Sequence, residues 1–405
     1  MIIRRTKVQP SVLISIFIML YMSRDTVWFG TNDSGLMKLL GYGAYAALAL
    51  YWILKGRVSR NYLGVALIFV ILGGITLITT GLDIKFFYVF MLVILAAFFC
   101  TNVKFEIFAE AYQKVMLFLA GFSIIGFGLY EIAYSIIARF PIFENEAGVK
   151  FINLLFDMPT VKQPYVAHRS FGIFREPGVY MIFLTIALMF ELFFIKNNNN
   201  KRTIVHVVIY AVALVFTLST AGYIVMALVL MLYLFFRIKN QRHKHLKFFL
   251  FIIFLAGALW LFFDEAMFGT VFGKLMQDNY SKSSRMESIY ANIRMITSNI
   301  GHVMTGLGFS FVEENFRYYS MGANVGDNTN TILRIFATYG FIYITLLMGL
   351  VFKFFAKVKN KLLAVSLFGT FCLCLFNESL IVNIILYVIA FYSLNTDFAE
   401  KRLQE

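Results

Sequence analysis

The stretch YLGVALIFVILGGITLITTG, residues 62–81, carries no charged side chain over 20 positions. A helix of about 20 apolar residues is long enough to cross a hydrocarbon core about 30 Å thick. Because no water in a bilayer can bond backbone N–H and C=O groups, only helices and closed barrels span it. The residues are continuously apolar and do not alternate with polar ones, which favours a helix over a barrel strand. This stretch therefore predicts a transmembrane helix.

Similar apolar blocks recur along the whole chain of 405 residues. Charged residues make up 14% of it, whereas about 25% is usual for a soluble domain. We predict an all-α polytopic membrane protein with about twelve transmembrane helices in a single integral membrane domain, residues 1–405. The predicted spans are 11–29, 36–54, 62–81, 86–101, 115–137, 178–195, 203–219, 221–236, 247–263, 332–352, 362–377 and 379–395. Two connections are long, residues 138–177 and 264–331.

The lysines and arginines predict the orientation of these spans. If the N-terminus is cytoplasmic, the connections on that side hold 22 of the 36 Lys and Arg residues, and the short connections on the other side hold only Arg24, Lys38 and Lys85. By the positive-inside rule, this asymmetry predicts that both termini are cytoplasmic and that both long loops face outside. The charges are scattered over many loops rather than gathered on one face, so the net charge of +14 does not indicate a nucleic-acid partner.

No metal or cofactor is predicted from the cysteines and histidines. Cys100, Cys372 and Cys374 lie in or beside apolar blocks, where burial as small hydrophobic side chains is the simpler interpretation. The five histidines lack metal-ligand spacing. The glycine-rich stretch GLGFS, residues 306–310, lacks the Walker lysine, which favours a plain turn over a phosphate loop.

The first long loop ends in HRSFGIFREPGVY, residues 168–180, which concentrates charge beside an apolar block. Arg169 and Arg175 could neutralise a dianionic group, because guanidinium forks match phosphate oxygens. Glu176 could orient one of these arginines or act as a base. The alternative is an interfacial loop whose arginines meet lipid headgroups.

The second long loop contains SKSSRMESIYANIR, residues 281–294, which predicts an amphipathic helix. Ser283 or Ser284 would cap it, and Ile289, Ile293 and Ile296 would form its apolar stripe. Such a helix lies in the membrane interface and would carry Arg285 there. A charged surface helix is the alternative. His302, farther along the loop, could act as a general base.

The stretch GDNTNTILRIFATYG, residues 326–340, opens a later span. Asp327, Asn328 and Asn330 stand where a helix cap belongs, so capping is at least part of their role. Arg334 falls one turn inside the predicted membrane segment, where a charge is costly and indicates function. Glu131 is a candidate partner for it.

Five motifs, taken in order, resemble those of the O-antigen polymerase and O-antigen ligase superfamily, which includes Wzy-type polymerases of capsule and exopolysaccharide. They are RSFGIFREPGVY (169–180), LSTAGYIV (218–225), SSRMESI (283–289), GLGFS (306–310) and DNTNTILRIFATYG (327–340). The resemblance extends to about twelve spans with a mid-chain and a late outer loop. It implies a GT-C-like membrane fold in the bacterial cytoplasmic membrane.

The resemblance also implies a reaction. A glycan on undecaprenyl pyrophosphate is the donor, a hydroxyl of another lipid-linked repeat unit attacks the anomeric carbon with inversion, and no metal is needed. Arginines of the family hold the pyrophosphate, which maps that role onto Arg169 and Arg285, with Arg175 and Arg334 as additions in this chain. The implied partners are the undecaprenyl-pyrophosphate-linked glycan, membrane lipid, a chain-length regulator and a flippase.

One departure from the pattern bears on the catalytic base. Counting back from Gly340, the histidine of the ligases falls near Thr329, where this chain has no histidine. Asp327 is the nearest replacement, with Glu176 and His302 in reserve, and Asn328 and Asn330 are substrate-binding candidates. The missing histidine favours a polymerase over a ligase-like transferase. A transporter or flippase of lipid-linked glycans, which would line a central path with charge, is a further alternative.

Overall fold

The computed structural model describes residues 8–32, 34–145, 149–153, 155–159, 169–195, 200–236, 280–298, 300–320, 328–380 and 382–395. Most of these residues are helical, and six helices are long and apolar enough to cross a membrane. The structure therefore agrees with the predicted all-α membrane class. The span predicted over 247–263 lies outside the described residues.

The described helices are labelled here in chain order. They are α1 Pro10–Tyr21, α2 Gly35–Lys55, α3 Arg60–Thr80, α4 Ile84–Asn102, α5 Phe105–Ile132, α6 Tyr134–Ile137, α7 Pro177–Met189, α8 Asn200–Phe216, α9 Thr220–Phe236, α10 Tyr280–Ser298, α11 Ile300–Thr305, α12 Phe309–Tyr319, α13 Thr331–Phe355, α14 Lys361–Asn377 and α15 Ile384–Tyr392. The six long apolar segments are α2, α3, α4, α5, α13 and the run Pro177–Phe194, in which α7 continues as a π-helical turn.

The first predicted span, 11–29, is wrong in its second half. Helix α1 ends at Tyr21, and the chain then folds back through a π-helical turn, Val27–Thr31. Gly30 permits this turn, because a Cβ at that position would lie 2.0 Å from the carbonyl oxygen of Arg24. The polar run SRDT, residues 23–26, interrupts the apolar block where the helix ends and was a signal for the turn.

Two helices form the centre of the bundle, since every residue of α7 and of α15 is buried. A helix that is apolar on all sides can be buried on all sides. The last predicted span, 379–395, is wrong at its start, because the helix begins at Ile384, where the Asn383 side chain accepts a hydrogen bond from the Ile385 N–H (2.9 Å). Residues 378–380 are consequently an ordered non-helical connection rather than membrane helix.

The first long loop contains a small antiparallel sheet that the sequence analysis did not anticipate. Its strands are β1 Ile142–Glu144, β2 Lys150–Asn153 and β3 Asp157–Pro159, in the order β1-β2-β3. Ile152 and Met158 pack with Tyr130 of α5. Strands of three and four residues are too short for a period-2 pattern to stand out.

The second long loop contains the predicted helix, with two corrections. Helix α10 begins at Tyr280, so Ser283 and Ser284 lie inside it rather than at its N-cap. Its buried face includes Ser288 and Asn292, whereas Ile293 is 44% exposed. The predicted apolar stripe holds only in part: Ile296 is buried with Ala291 and Met295, whereas Ser288 and Asn292 meet polar groups at residues 328–330, a tertiary contact that hydrophobicity alone does not reveal.

The glycine-rich stretch 306–310 crosses a break in α13 at Gly340. The N–H groups of Leu307 and Gly308 donate to the carbonyls of Ala337 (2.8 Å) and Thr338 (3.0 Å). Gly306 and Gly340 have φ values of +82° and +84°, and a Cβ on either would lie within 2.3 Å of a backbone oxygen. The stretch therefore packs across α13, and its Leu307 and Gly308 N–H groups donate to protein carbonyls. This packing is called the 306–308 crossing.

Candidate functional site

Three of the four predicted arginines contact one short segment, Glu378–Ser379, between α14 and α15. Arg175 donates from Nη2 to the backbone oxygen of Ser379 (2.9 Å), and Arg334 donates from Nη1 to its Oγ (2.9 Å). Arg285 Nη2 lies 3.5 Å from Glu378 Oε1. These arginines come from the end of the first long loop, from α10 and from α13, so the fold joins segments that are far apart in sequence.

Thr331, the first residue of α13, holds this segment in place. Its hydroxyl donates to the carbonyl oxygen of Glu378 and accepts from the N–H of Leu380 (2.7 Å). Thr331 is fully buried. The backbone between α14 and α15 is therefore bonded to the same helix that carries Arg334.

Arg169, the fourth predicted arginine, is anchored on the LSTAG turn. Its Nε donates to the carbonyl oxygen of Thr217 (3.0 Å), one residue before Leu218, which has a φ of +46°. Burial lowers the pKa of Arg169, the negative charge of Glu378 raises it, and the positive charge of Arg285 lowers it. Arg169 therefore lies within electrostatic range of Glu378 and Arg285, while its hydrogen bond is to Thr217.

Arg175 and Arg334 also line a cavity of about 390 Å³. Glu313, on α12, contacts both Arg334 (2.9 Å) and Lys85 and is therefore a carboxylate partner of Arg334 that the sequence analysis did not identify. Cations outnumber carboxylates around the cavity, which favours an anionic ligand. Its ionic lining is Arg24, Asp25, Lys85, Arg175, Glu313, Arg317 and Arg334.

Asp25 fixes the position of Arg175. Its Oδ1 lies 3.6 Å from Arg175 Nε, its carbonyl oxygen accepts from the Arg175 N–H (2.8 Å), and its Oδ2 accepts from Asn383 Nδ2 (2.5 Å). Burial raises the pKa of Asp25, while Arg175 and Asn383 pull it down. The first predicted span included this turn, so Asp25 was not considered as a site residue, and Arg24 was counted only among the charges of the outer connections.

Glu176 and Glu378 form a carboxyl pair in the cluster. Arg175 contacts Glu176 Oε1 (3.2 Å) and the backbone oxygen of Ser379 (2.9 Å), and Glu378 Oε1 lies against Gly178, two residues after Glu176. Burial and the negative charge of Glu176 raise the pKa of Glu378 to about 8. Burial also acts to raise the pKa of Glu176, but Arg175 and hydrogen bonding from Glu378 outweigh it and the pKa is lowered. At neutral pH the two carboxyl groups therefore hold one proton between them.

The remaining predicted site residues are distributed more widely. Asn328 lines the cavity and exchanges two hydrogen bonds with Asn292 (2.9 and 3.0 Å). Asn330 caps α13 by accepting from the Leu333 N–H (2.9 Å), as its position predicts. His302 Nδ1 contacts the carbonyl oxygen of Gly306 (3.0 Å) and does not line the cavity. Asp327 lies outside the described residues.

Sequence reasoning missed Glu378 and Ser379, although a signal was present. The tripeptide NES, residues 377–379, interrupts an otherwise apolar region of two adjacent blocks. An acidic residue so close to two predicted spans calls for a partner of opposite charge. Among the described residues, no group of three or more His, Cys, Asp or Glu side chains could hold a metal ion.

No family model and no curated protein matches the chain. The functional argument therefore rests on the geometry of the site and on the motifs quoted above.

Proposed function

We propose that the protein is an inverting, metal-independent glycosyltransferase of the bacterial cytoplasmic membrane. It polymerises oligosaccharide repeat units carried on undecaprenyl pyrophosphate into O-antigen, capsule or exopolysaccharide at the outer face of the cytoplasmic membrane. One observation carries the proposal: Arg175, Arg285 and Arg334, three of the four arginines chosen from sequence for diphosphate binding, contact the segment Glu378–Ser379.

The chemistry of such a cluster suits departure of a diphosphate. As the bond from the anomeric carbon to the diphosphate breaks, negative charge builds on the leaving group, and cations fixed around it stabilise the transition state. The cavity has room for a diphosphate and a net positive lining, to which Arg175 and Arg334 contribute and Arg169 and Arg285 do not. The carrier's polyprenyl tail would remain in the bilayer beside it.

The proposed topology follows the charge pattern. About twelve spans with both termini in the cytoplasm place the arginine cluster on the outer side, where lipid-linked repeats are polymerised. The cluster lies where α7 and α13 begin and α14 ends, so these three helices share one end of the bundle there. A GT-C-like arrangement of spans is part of the same proposal.

Glu176 is the proposed base for the acceptor hydroxyl, because its side chain is 39% exposed beside the arginines. Asp327 and His302 remain candidates for the same role, and Asn328 and Asn330 for substrate binding. Neither a cofactor nor nucleic acid takes part. Membrane lipid surrounds the protein, and a chain-length regulator and a flippase act with it.

The test is deletion of the gene in the source bacterium, followed by complementation and analysis of surface glycan length. We expect the deletion strain to show single repeats and the wild-type gene to restore the long-chain ladder. Arg285→Ala should insert normally and restore no long chains, because loss of one charge-stabilising donor costs about 10²–10³ in rate.

Arg294→Gln provides the matched control, since Arg294 lies on the same helix but bonds to the Tyr319 carbonyl oxygen (2.8 Å) and to Glu287. It should restore the ladder. Complete loss of surface glycan in the deletion strain would indicate a flippase instead. Long polymer retained on the polyprenyl carrier would indicate a ligase.

A further inference from the structure

Glu378 is a buried carboxyl group that packs against a glycine, Gly178. It is 5% exposed, and its Oε1 occupies the position where a side chain on Gly178 would begin, 1.7 Å from that ideal Cβ. An unpaired buried carboxylate is costly, and a hydrophobic side chain would fill this space without that cost. Glu378 has Arg285 as a partner at 3.5 Å, and a carboxyl group at this position is a candidate for a chemical role.

Among the described residues, the charged groups around Glu378 come from the segment 169–176 and from α10. Glu176 and Arg175 lie just before α7, Arg285 approaches from α10 (3.5 Å), and Arg169 adds positive charge. Two carboxyl groups in contact cannot easily both ionise, so they share one proton and titrate as a pair. Only Glu176 of the two has an exposed side chain.

We propose that Glu176 accepts the proton of the acceptor hydroxyl and that Glu378 is the positioning residue that gives Glu176 enough proton affinity to do so. This inference rests on the proposed function. Beside Arg175 alone, Glu176 would be a weak base, because a nearby guanidinium stabilises the carboxylate. A second ionised carboxylate beside it opposes this effect, since the fully ionised pair binds its first proton tightly.

The step balances as follows. The acceptor oxygen forms a bond to the anomeric carbon, and the bond from that carbon to the diphosphate breaks, leaving its electron pair on the diphosphate. The hydroxyl proton passes to the ionised pair through Glu176 and is later released to water. The arginines neutralise the departing diphosphate, so that proton and leaving group are held by different residues of one cluster.

The proposal predicts a particular pH profile. The fully ionised pair is the active base, and it predominates above the pKa of Glu378, about 8. Activity should therefore rise as the pH increases from 6 and level off above about 8. In Glu378→Gln the shared proton is lost and Glu176 stays ionised over this range, so the rise should disappear and the rate at pH 8 should fall at least about tenfold.

The measurement uses purified full-length protein in proteoliposomes, with lipid-linked repeats extracted from the deletion strain as substrate. Initial rates of chain growth are recorded from pH 6 to 9 for the wild type, Glu378→Gln and Glu176→Gln. Glu176→Gln should lose about 10²–10⁴ in rate, the usual contribution of a general base. Glu144→Gln, an exposed carboxylate on β1, is the control and should match the wild type.

The outcomes separate this inference from the proposed function. Wild-type protein that makes no polymer contradicts the function itself. Wild-type polymerisation with an unchanged rate and pH profile in Glu378→Gln overturns the role of Glu378 and leaves the function standing. Because glutamine matches the neutral acid in shape, Glu378→Gln should fold, and an unchanged thermal midpoint at pH 6 verifies this. If the midpoint falls, Glu378→Asp provides the second test: it should retain a pH-dependent rate, and a flat profile would contradict the proposal.

Discussion

Gly178, the second residue of α7, is in close contact with Glu378 of the carboxyl pair. Glu378 packs directly on its Cα, so no larger residue fits without moving the carboxyl group. Alanine ordinarily favours a helix over glycine by about 1 kcal/mol. Alanine at position 178 would therefore raise the helix propensity of α7 but displace the buried carboxyl group of Glu378.

We expect Gly178→Ala to lower both the thermal midpoint and the rate of chain growth, because the new Cβ would push Glu378 away from Glu176. Thermal unfolding in detergent and the proteoliposome assay check this. Gly121→Ala on α5, where nothing lies within 4 Å of the added Cβ, is the matched control and should change neither. Equal behaviour of the two variants would show that the close packing is unimportant.

At the scale of elements, α13 links the cluster to the rest of the bundle. It begins at Thr331, which bonds the Glu378–Leu380 segment, carries Arg334 one turn later, and breaks at Gly340 against the 306–308 crossing. The break lets the first part of the helix meet backbone of the second long loop at hydrogen-bond distance. The position of Arg334 thus depends on a glycine six residues away.

Gly340→Ala should destabilise the fold markedly, because its φ of +84° is unfavourable for alanine and the Cβ would lie 2.2 Å from the Met304 carbonyl oxygen. The expected loss is at least about 1–3 kcal/mol, the usual cost of such backbone strain. The thermal midpoint measures it. Gly349→Ala, on the same helix with open space around its Cβ, should leave the midpoint nearly unchanged, and a similar fall in both would argue against a specific role for the crossing.

On the scale of the whole molecule, sequence predicted the helical membrane class and several spans closely, but not which helices are central. Only 22% of the α3 segment is buried, whereas the Pro177–Phe194 segment is completely buried. Both segments are strongly apolar. Lipid and protein interior favour the same side chains, so composition does not distinguish them. The sequence also does not show which side chains pair. Arg285 was identified from a motif, but its contact with Glu378 depends on how α10 packs against the 378–380 segment.

The central claim, that four arginines from three segments hold one diphosphate, is tested most directly by binding. Purified protein is titrated with undecaprenyl pyrophosphate and with undecaprenyl phosphate, for the wild type, Arg285→Ala, Arg334→Ala and the control Arg294→Gln. We predict tighter binding of the diphosphate by the wild type, and losses of about tenfold or more for each alanine variant, since a charge-assisted hydrogen bond contributes about 1.5–3 kcal/mol. Arg294→Gln should bind like the wild type. Equal affinity for the two lipids, unaffected by either alanine substitution, would contradict the claim.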